Sequence, residues 1–214
     1  MAPERVKRDY YSPVRQAQVE LSRHRVLTAA NELFLTKGYA ATSIAAIASR
    51  ADVARETVYK LFSSKARLLK RLYDVTLAGD PDEIPIERRD EWQHMLAADP
   101  DTLIATFARG NAEMSARLAP MLVMITAGAA AGDTDLRDLT ATTDAERLSG
   151  VQAMVDALAR KQALRKGLDP GEAADMAWAL ISPEMWQLLT ERRGWDSARY
   201  QAWLERSLRD SLLA

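Results

Sequence analysis

The sequence predicts an all-α protein in which an N-terminal three-helix unit is joined to a larger α-helical domain. Apolar residues recur at the spacing of one helix face from residue 16 onward, and no segment shows the sustained alternation of a strand. Residues 79–85 combine one glycine, two prolines and three acidic residues, which is the composition of a loop. We therefore expect two helical parts that differ in function on either side of this region.

Charge is distributed unevenly along the 214 residues, although the totals of 29 basic and 30 acidic residues nearly cancel. Residues 1–75 contain 14 Lys or Arg and 7 Asp or Glu, whereas residues 76–214 contain 15 and 23. A basic segment attached to an acidic one is typical of a module that binds phosphates joined to a module with another task.

The composition excludes several classes of protein. The chain has no cysteine, so it has neither disulfides nor thiolate metal sites. The charged N-terminus lacks the apolar core of a secretory signal, and the longest apolar run, residues 121–131, is about half of the roughly 20 residues that span a bilayer. We expect a cytoplasmic protein without a membrane partner, a cofactor or a metal.

Residues 1–15 are predicted to form a basic flexible arm. Prolines interrupt helix formation here, and the basic residues would suit a contact with DNA. The residues concerned are Arg5, Lys7, Arg8 and Arg15 with Pro3 and Pro13. The arm either touches DNA or is a tail without a role.

Residues 16–63 are predicted to contain three helices. The first runs for about 20 residues from Gln16 and ends at Gly38, because glycine readily adopts the left-handed conformation that terminates helices. Either Thr42 or Ser43 caps a short second helix that ends near Arg50.

A third short helix is predicted from about Ala54 to Leu61, and Ser63 or Ser64 would cap the helix that follows. Two short helices joined by a tight turn need a small residue where they cross, and Ala48 is suited to that position. The apolar residues predicted to face inward are Ile44, Ile47, Ala51, Val53, Val58 and Leu61. The residues left to point outward from the third helix are Arg55, Glu56, Tyr59 and Lys60, which suits a helix that enters the major groove.

The run Thr57 to Leu69 resembles the signature of TetR-family transcriptional regulators, in which a Thr-aliphatic-Tyr segment leads to an aromatic residue, a serine or proline turn and a lysine. The pairs Gly38-Tyr39 and Ile47-Ala48 match the same family. The resemblance is close over residues 20–72 and extends beyond them only in length and architecture. It implies a helix-turn-helix DNA-binding domain at residues 16–63 and an α-helical ligand-binding and dimerisation domain at residues 64–214.

The resemblance also implies roles for individual residues. Thr42 or Ser43 would bind a phosphate, and Tyr59 would place its hydroxyl on the DNA backbone. Lys65 would neutralise another phosphate. The residues that would read or approach base edges are Arg55, Thr57 and Lys60, of which Arg55 best suits guanine.

Two residues depart from the family pattern. Asp52 occupies the turn position where glycine is usual, and Ala54 stands where serine is common. Aspartate tolerates a left-handed backbone better than most residues, so the turn is expected to form. Ala54 has no side-chain oxygen with which to cap the third helix, which would cost about 0.5–2 kcal/mol of local stability.

Beyond the loop, helical periodicity predicts further segments at residues 87–97, 101–117, 119–131, 136–163, 171–192 with a break at Pro183, and 196–212. Since one recognition helix covers only a few base pairs, we expect a homodimer that presents two such helices about 34 Å apart. Its interface is predicted on the last two helical segments, at Met176, Leu180, Trp186, Leu188, Leu189, Trp203, Leu204, Leu208 and Leu212. An internal core is the alternative for these residues.

Methionines and aromatic residues of the central segments could line a pocket for a mostly apolar effector, although residues of these types at helical spacing more often belong to an ordinary core. The candidates are Trp92, Met95, Phe107, Asn111, Met114, Met121, Met124 and Trp178. Possible polar contacts besides Asn111 are His94, Thr126 and Gln152.

The sequence thus predicts a repressor that leaves its operator when a small molecule binds. An activator or a ligand-independent regulator of the same fold is the nearest alternative, and a protein-interaction adaptor without DNA binding is the alternative from another class. The two histidines, His24 and His94, have no nucleophile or metal-ligand spacing around them, so an enzyme is not expected.

Overall fold

The computed structural model describes residues 13–81 and 84–214, and it confirms the predicted all-α class. The chain divides into two compact units, with Leu68 the last residue of the first and Leu69 the first residue of the second. The division therefore falls within a helix, several residues after the end of the predicted head at residue 63.

The first unit contains α1 (Pro13–Lys37), α2 (Ile44–Ala51), α3 (Arg55–Phe62) and the beginning of α4 (Lys65–Ala78). Gly38 follows α1 with φ 80°, a left-handed conformation that glycine adopts without strain. The structure describes α1 from Pro13 onward. Residues 13–15 of the predicted arm are thus helical, and the rest of the arm lies outside the described residues.

Apolar side chains from all four helices form the buried core of the first unit. Phe34 and Tyr39 place their ring centroids 5.4 Å apart. Ala48 is 2% exposed, as expected for the small residue at a helix crossing. The other buried residues of the two short helices are Ile44, Ile47, Ala51, Val58 and Phe62. Phe62 fills the position predicted for Leu61, which is only partly buried.

The second unit contains the rest of α4, then α5 (Asp90–Ala97), α6 (Pro100–Ala130), α7 (Thr134–Arg160), α8 (Pro170–Leu180), α9 (Pro183–Gln187) and α10 (Ser197–Leu212). A 3-10 turn covers Ile86–Arg88, and a π-helical turn covers Leu188–Arg192. The residue before each of α6 to α10 accepts a backbone N–H on its side chain; these caps are Asp99, Asp133, Asp169, Ser182 and Asp196.

One predicted boundary is wrong: residues 101–117 and 119–131 form the single helix α6, with Pro120 inside it. Proline removes one helical hydrogen bond, but Leu118, Met121 and Ile125 are each at most 4% exposed and anchor both sides of the proline in the core. Glycine at position 128 allows α6 to approach α7 closely, because a Cβ atom there would clash with Leu136 Cδ1. No helix of the described ranges is both long and apolar enough to cross a bilayer.

Candidate nucleic-acid interface and effector cavity

The start of α2 presents one exposed hydroxyl, that of Ser43. Its Oγ accepts the N–H of Ala46 at 3.1 Å and leaves the O–H free to donate. Thr42 is only 2% exposed, and its hydroxyl donates to the carbonyls of Gly38 and Leu33 at 2.8 and 3.2 Å. Of the two candidates for a phosphate contact, Ser43 has the accessible side chain, whereas Thr42 ties α1 to the loop that follows it.

The turn between α2 and α3 is closed by backbone hydrogen bonds around Asp52. This residue has φ 52° and ψ 53°, and its N–H approaches Ser49 O while Val53 N donates to Ala48 O at 3.0 Å. These bonds form the Schellman motif that usually uses glycine. The Asp52 carboxylate accepts from Arg25 at 2.8 Å, although the pair is largely exposed and is expected to stabilise the turn little.

Helix α3 carries an exposed polar face on one side and apolar residues on the other. Arg55, Glu56, Tyr59 and Lys60 are exposed, with Tyr59 at 47%, and Thr57 is partly buried. The basic groups of Arg55 and Lys60 have no acidic partner among the described residues. Because the first two N–H groups of α3 also lack a side-chain cap, this face presents several unused donors.

Two other cations of the first unit, Arg25 and Arg50, are already paired with carboxylates. Arg50 forms two hydrogen bonds with the Glu32 carboxylate, at 2.8 and 3.0 Å, and this contact lowers the pKa of Glu32. Arg25 is paired with Asp52 as described above. The unpaired charge of this unit therefore includes the exposed face of α3, which suits binding to a polyanion.

Lys65 fastens the loop between α1 and α2. Its ammonium donates to the carbonyls of Tyr39 and Thr42, at 3.0 and 3.3 Å, and lies 4.0 Å from the centre of the Tyr39 ring. These contacts use two of the three N–H donors and place the cation on the face of an aromatic ring. Lys65 thus holds the loop from which Ser43 projects.

The second unit contains a cavity of about 360 Å³ between α4, the 3-10 turn, α6 and α7. Its walls are mainly apolar, with Trp92 and Phe107 at a centroid distance of 6.5 Å and an interplanar angle of 56°. A cavity of this size and composition can hold a small organic molecule.

Two polar groups of the cavity are buried. Asn111 is 7% exposed, and its Oδ1 has no hydrogen-bond partner in the described parts of the chain. Burial raises the pKa of the nearby Tyr73 to about 12, so this phenol remains uncharged at neutral pH.

Two basic residues of the cavity, Lys70 and Arg147, are paired with acidic residues. Lys70 contacts Asp74 Oδ1 at 2.6 Å and Glu146 Oε1 at 3.0 Å. Burial alone would lower the pKa of Lys70, but these two carboxylates outweigh that effect and raise it. Arg147 donates to Asp144 and to the Trp178 carbonyl, both at 3.0 Å.

The structure brings together four of the eight predicted pocket residues: Trp92, Phe107, Asn111 and Met114 line the cavity. Met95 and Met121 instead belong to the buried core, and Met124 does not reach the cavity. Trp178 is not part of the cavity lining; the Cζ atom of Arg147 lies over its indole ring, 4.3 Å from the ring centre. Of the additional polar candidates, His94, Thr126 and Gln152 are exposed and lie outside the lining.

Several predicted dimer residues pack in the core of their own subunit, which is the alternative that the sequence leaves open for them. Leu204, Leu208 and Leu212 are 0% exposed and Trp186 is 5% exposed, so they have almost no area to offer a second chain. Met176, Leu180, Leu189 and Trp203 are partly buried, and Leu188 is 44% exposed. These last five remain compatible with an interface.

Sequence reasoning did not identify the α4 and α7 residues of the cavity. Lys70, Tyr73, Asp74, Glu146 and Arg147 all line it. Lys70 and Asp74 are one helical turn apart, which is a signal for an ion pair, but no sequence pattern indicates that Glu146 joins them.

Comparisons with known proteins agree with this arrangement. Residues 26–72 match the family model described as bacterial regulatory proteins, tetR family. No curated protein matches the chain in sequence.

Three solved structures share the fold over most of their length. They are SmeT in complex with triclosan (20% identity, TM-score 0.69, covering 90% of this chain and 92% of that chain), NalD of Pseudomonas aeruginosa, the secondary repressor of the MexAB-OprM multidrug efflux pump (23%, 0.69, 91% and 98%), and the fatty acid degradation regulator FadR of Bacillus halodurans (16%, 0.67, 87% and 94%). At these identities the likeness shows the fold.

Proposed function

We propose that this chain is a TetR-family transcriptional regulator, a cytoplasmic repressor that leaves its operator when a small hydrophobic molecule occupies its cavity. The match of residues 26–72 to the family model supports this proposal. The observation that carries DNA binding is the exposed face of α3, where Arg55 and Lys60 have no acidic partner among the described residues and Tyr59 is exposed beside them. The matched family model describes regulatory proteins, so we propose a regulator and not an enzyme.

In the proposed complex, α3 enters the major groove and Arg55 donates two hydrogen bonds to a guanine edge. Lys60 and Thr57 lie on or beside the same exposed face and would contact bases or nearby phosphates. Ser43 and Tyr59 would donate their hydroxyl groups to the DNA backbone, which fixes the position of α3 without reading sequence.

We propose that the protein binds DNA as a homodimer, because a single α3 covers too few base pairs for useful specificity. The proposed interface uses the partly or fully exposed apolar residues near the C-terminal helices. These are Met176, Leu180, Leu188, Leu189 and Trp203. Residues 1–12 would add phosphate contacts if they reach the DNA.

Helix α4 supports the proposal that effector binding alters DNA binding. Its first residue, Lys65, holds the loop before α2, and its later residues Lys70, Tyr73 and Asp74 line the cavity. An effector that favours one position of α4 would change how the two DNA-binding heads of a dimer are spaced. It can shift that equilibrium only by the difference between its affinities for the two states.

The experiment begins with selection of a preferred operator from random DNA by the full-length protein. Arg55→Ala is expected to cost about 1–3 kcal/mol and to relax the preference at one base pair, because it removes a base contact. Tyr59→Phe is expected to weaken binding to all sequences alike, because it removes a backbone contact. Arg206→Ala, an exposed arginine of α10, is the charge-matched control.

If Arg55→Ala and Tyr59→Phe both bind the selected operator as tightly as the parent, the assigned DNA interface is wrong. Transcription measured from that operator then decides the direction of regulation. Repression in the absence of effector supports the proposal, whereas stimulation would identify an activator. A protein that selects no sequence at all would favour the adaptor.

A further inference from the structure

One hydrogen-bond acceptor in the cavity of the second unit is buried and has no partner among the described residues. Asn111 projects from α6 into the lining, is 7% exposed, and keeps its Oδ1 buried without a partner among the described residues. Buried carbonyl groups are almost always hydrogen-bonded, because leaving them unpaired is unfavourable. An occupant that donates a hydrogen bond to Oδ1 would remove this penalty.

Of the three basic residues that line the cavity, Lys70 and Arg147 are paired with carboxylates, and Arg71 donates to the Pro81 carbonyl at 2.7 Å. Lys70 lies 2.6 Å from Asp74 and 3.0 Å from Glu146, and Arg147 donates to Asp144 at 3.0 Å. Lys70 thus faces two carboxylates. An anionic occupant near Lys70 or Arg147 would have to break an existing ion pair or lie beside these carboxylates, both of which are unfavourable.

The size and walls of the cavity limit the shape of its occupant. A volume of about 360 Å³ lies near the lower end of the roughly 300–1,000 Å³ range of ligand pockets. Trp92 and Phe107 supply two flat surfaces inclined at 56°, and Met114 adds an adaptable apolar group. This geometry suits a compact ring-containing molecule better than a long alkyl chain.

We infer that the effector is a compact hydrophobic molecule that donates a hydrogen bond to Asn111 and carries no negative charge. The inference rests on the proposed function for the biological role of the cavity, but the binding chemistry follows from its lining. Phenols belong to this class, whereas fatty acids and other hydrophobic carboxylates do not.

Three probes of similar size and different chemistry test the inference at neutral pH with the full-length protein. They are 4-propylphenol, its isomer 4-ethylanisole, which accepts but does not donate, and the anion 3-phenylpropionate. Dissociation constants are measured by calorimetry. The phenol is expected to bind about tenfold more tightly than the ether, which is the effect of one buried hydrogen bond, and the carboxylate is expected to bind weakest.

Asn111→Leu separates the hydrogen bond from the rest of the cavity. The two side chains are similar in size, and leucine removes the unpaired carbonyl, so the ligand-free variant is expected to melt at the same temperature or higher. Its affinities for the phenol and the ether should become equal. Gly150→Ala is the matched control, because its Cβ would lie 3.6 Å from Trp92 Cη2 and would reduce the space without altering any hydrogen bond; both probes should weaken alike.

The inference is overturned if the parent protein binds the ether as tightly as the phenol, if it binds the carboxylate most tightly, or if it binds none of the three. Operator binding measured in parallel tests the proposed function separately. A phenol that binds in the predicted order but leaves operator affinity unchanged would support the assigned ligand class and contradict effector-controlled repression.

Discussion

The two units of the molecule differ in where their candidate functional polar groups lie. The first unit carries them on an exposed helix face, and the second carries them around a cavity. In the first unit, Arg55, Tyr59 and Lys60 project outward from α3, which rests on a small buried core. In the second unit, Asn111 and Tyr73 point toward a cavity and are largely removed from solvent. The first arrangement suits a large, charged and hydrated partner, and the second suits a small partner that must lose its water.

This difference has consequences for how each unit responds to salt and to substitution. Contacts between exposed cations and phosphates release counterions, so DNA binding is expected to weaken steeply as salt concentration rises. Contacts inside the cavity depend on apolar burial and hydrogen bonding and should change little with salt. Substitutions on α3 should affect binding with little change in stability, whereas substitutions inside the second unit should affect stability.

The largest effect is expected from Leu204→Ala in α10. Leu204 is 0% exposed within its own subunit, so truncation leaves a cavity in the core of the second unit. The free energy of unfolding should fall by about 2–5 kcal/mol, measured by urea denaturation. The loss should be the same at all protein concentrations, because no second chain is needed to bury this side chain.

Leu188→Ala is the matched control, since Leu188 is 44% exposed. Its effect on subunit stability should stay within about 0.5 kcal/mol, and any loss should appear as weaker dimerisation in sedimentation measurements. A destabilisation by Leu204→Ala that disappears as protein concentration rises would instead return this residue to the dimer interface.

A smaller effect is expected from Lys65→Met, which tests whether Lys65 positions a loop or binds a phosphate. The variant loses two hydrogen bonds to carbonyls and the contact with the Tyr39 ring, so unfolding should become easier by about 1–2 kcal/mol. Operator affinity should fall, but its dependence on salt should keep the same slope, because no counterion-releasing contact is removed.

Lys60→Met is the comparison variant, because Lys60 is exposed and has no acidic partner among the described residues. Here stability should be unchanged, while the slope of log affinity against log salt should become shallower by about 0.9. If Lys65→Met flattens the slope as Lys60→Met does and leaves stability intact, Lys65 is a phosphate contact, as the family resemblance implies.

Much of the first unit could be predicted because its signals are local. Gly38 ends α1, Ala48 lies at the helix crossing, and Asp52 adopts the left-handed turn, each as its residue type indicates. The choice between Thr42 and Ser43 could not be made, because it depends on Thr42 reaching carbonyls in and just after α1. The phosphate-binding role of Lys65 follows from the family resemblance alone, and nothing in the sequence predicts its hydrogen bonds to the loop between α1 and α2.

Less of the second unit could be predicted, because an apolar stripe on a helix does not indicate what will cover it. The apolar helix pattern predicts a dimer interface at Leu204 and Trp186, yet both side chains are buried within their own subunit. Lys70 and Glu146 meet across 76 positions of sequence, and Asn111 Oδ1 is buried without a partner among the described residues. Pairings of this kind follow from tertiary structure and leave no spacing in the sequence.

The smallest effect is expected at the start of α3, where Ala54 departs from the TetR-family pattern that the first unit otherwise resembles. Ala54 precedes α3 and supplies no side-chain hydrogen bond, whereas Ser43 caps α2 at 3.1 Å. Ala54→Ser should therefore raise the free energy of unfolding by about 0.5–2 kcal/mol, and Ser43→Ala should lower it by a similar amount. Both are measured by urea denaturation. An unchanged midpoint for Ala54→Ser alongside a loss for Ser43→Ala would mean that water already satisfies the first N–H groups of α3, so that capping limits stability at only one of the two helices.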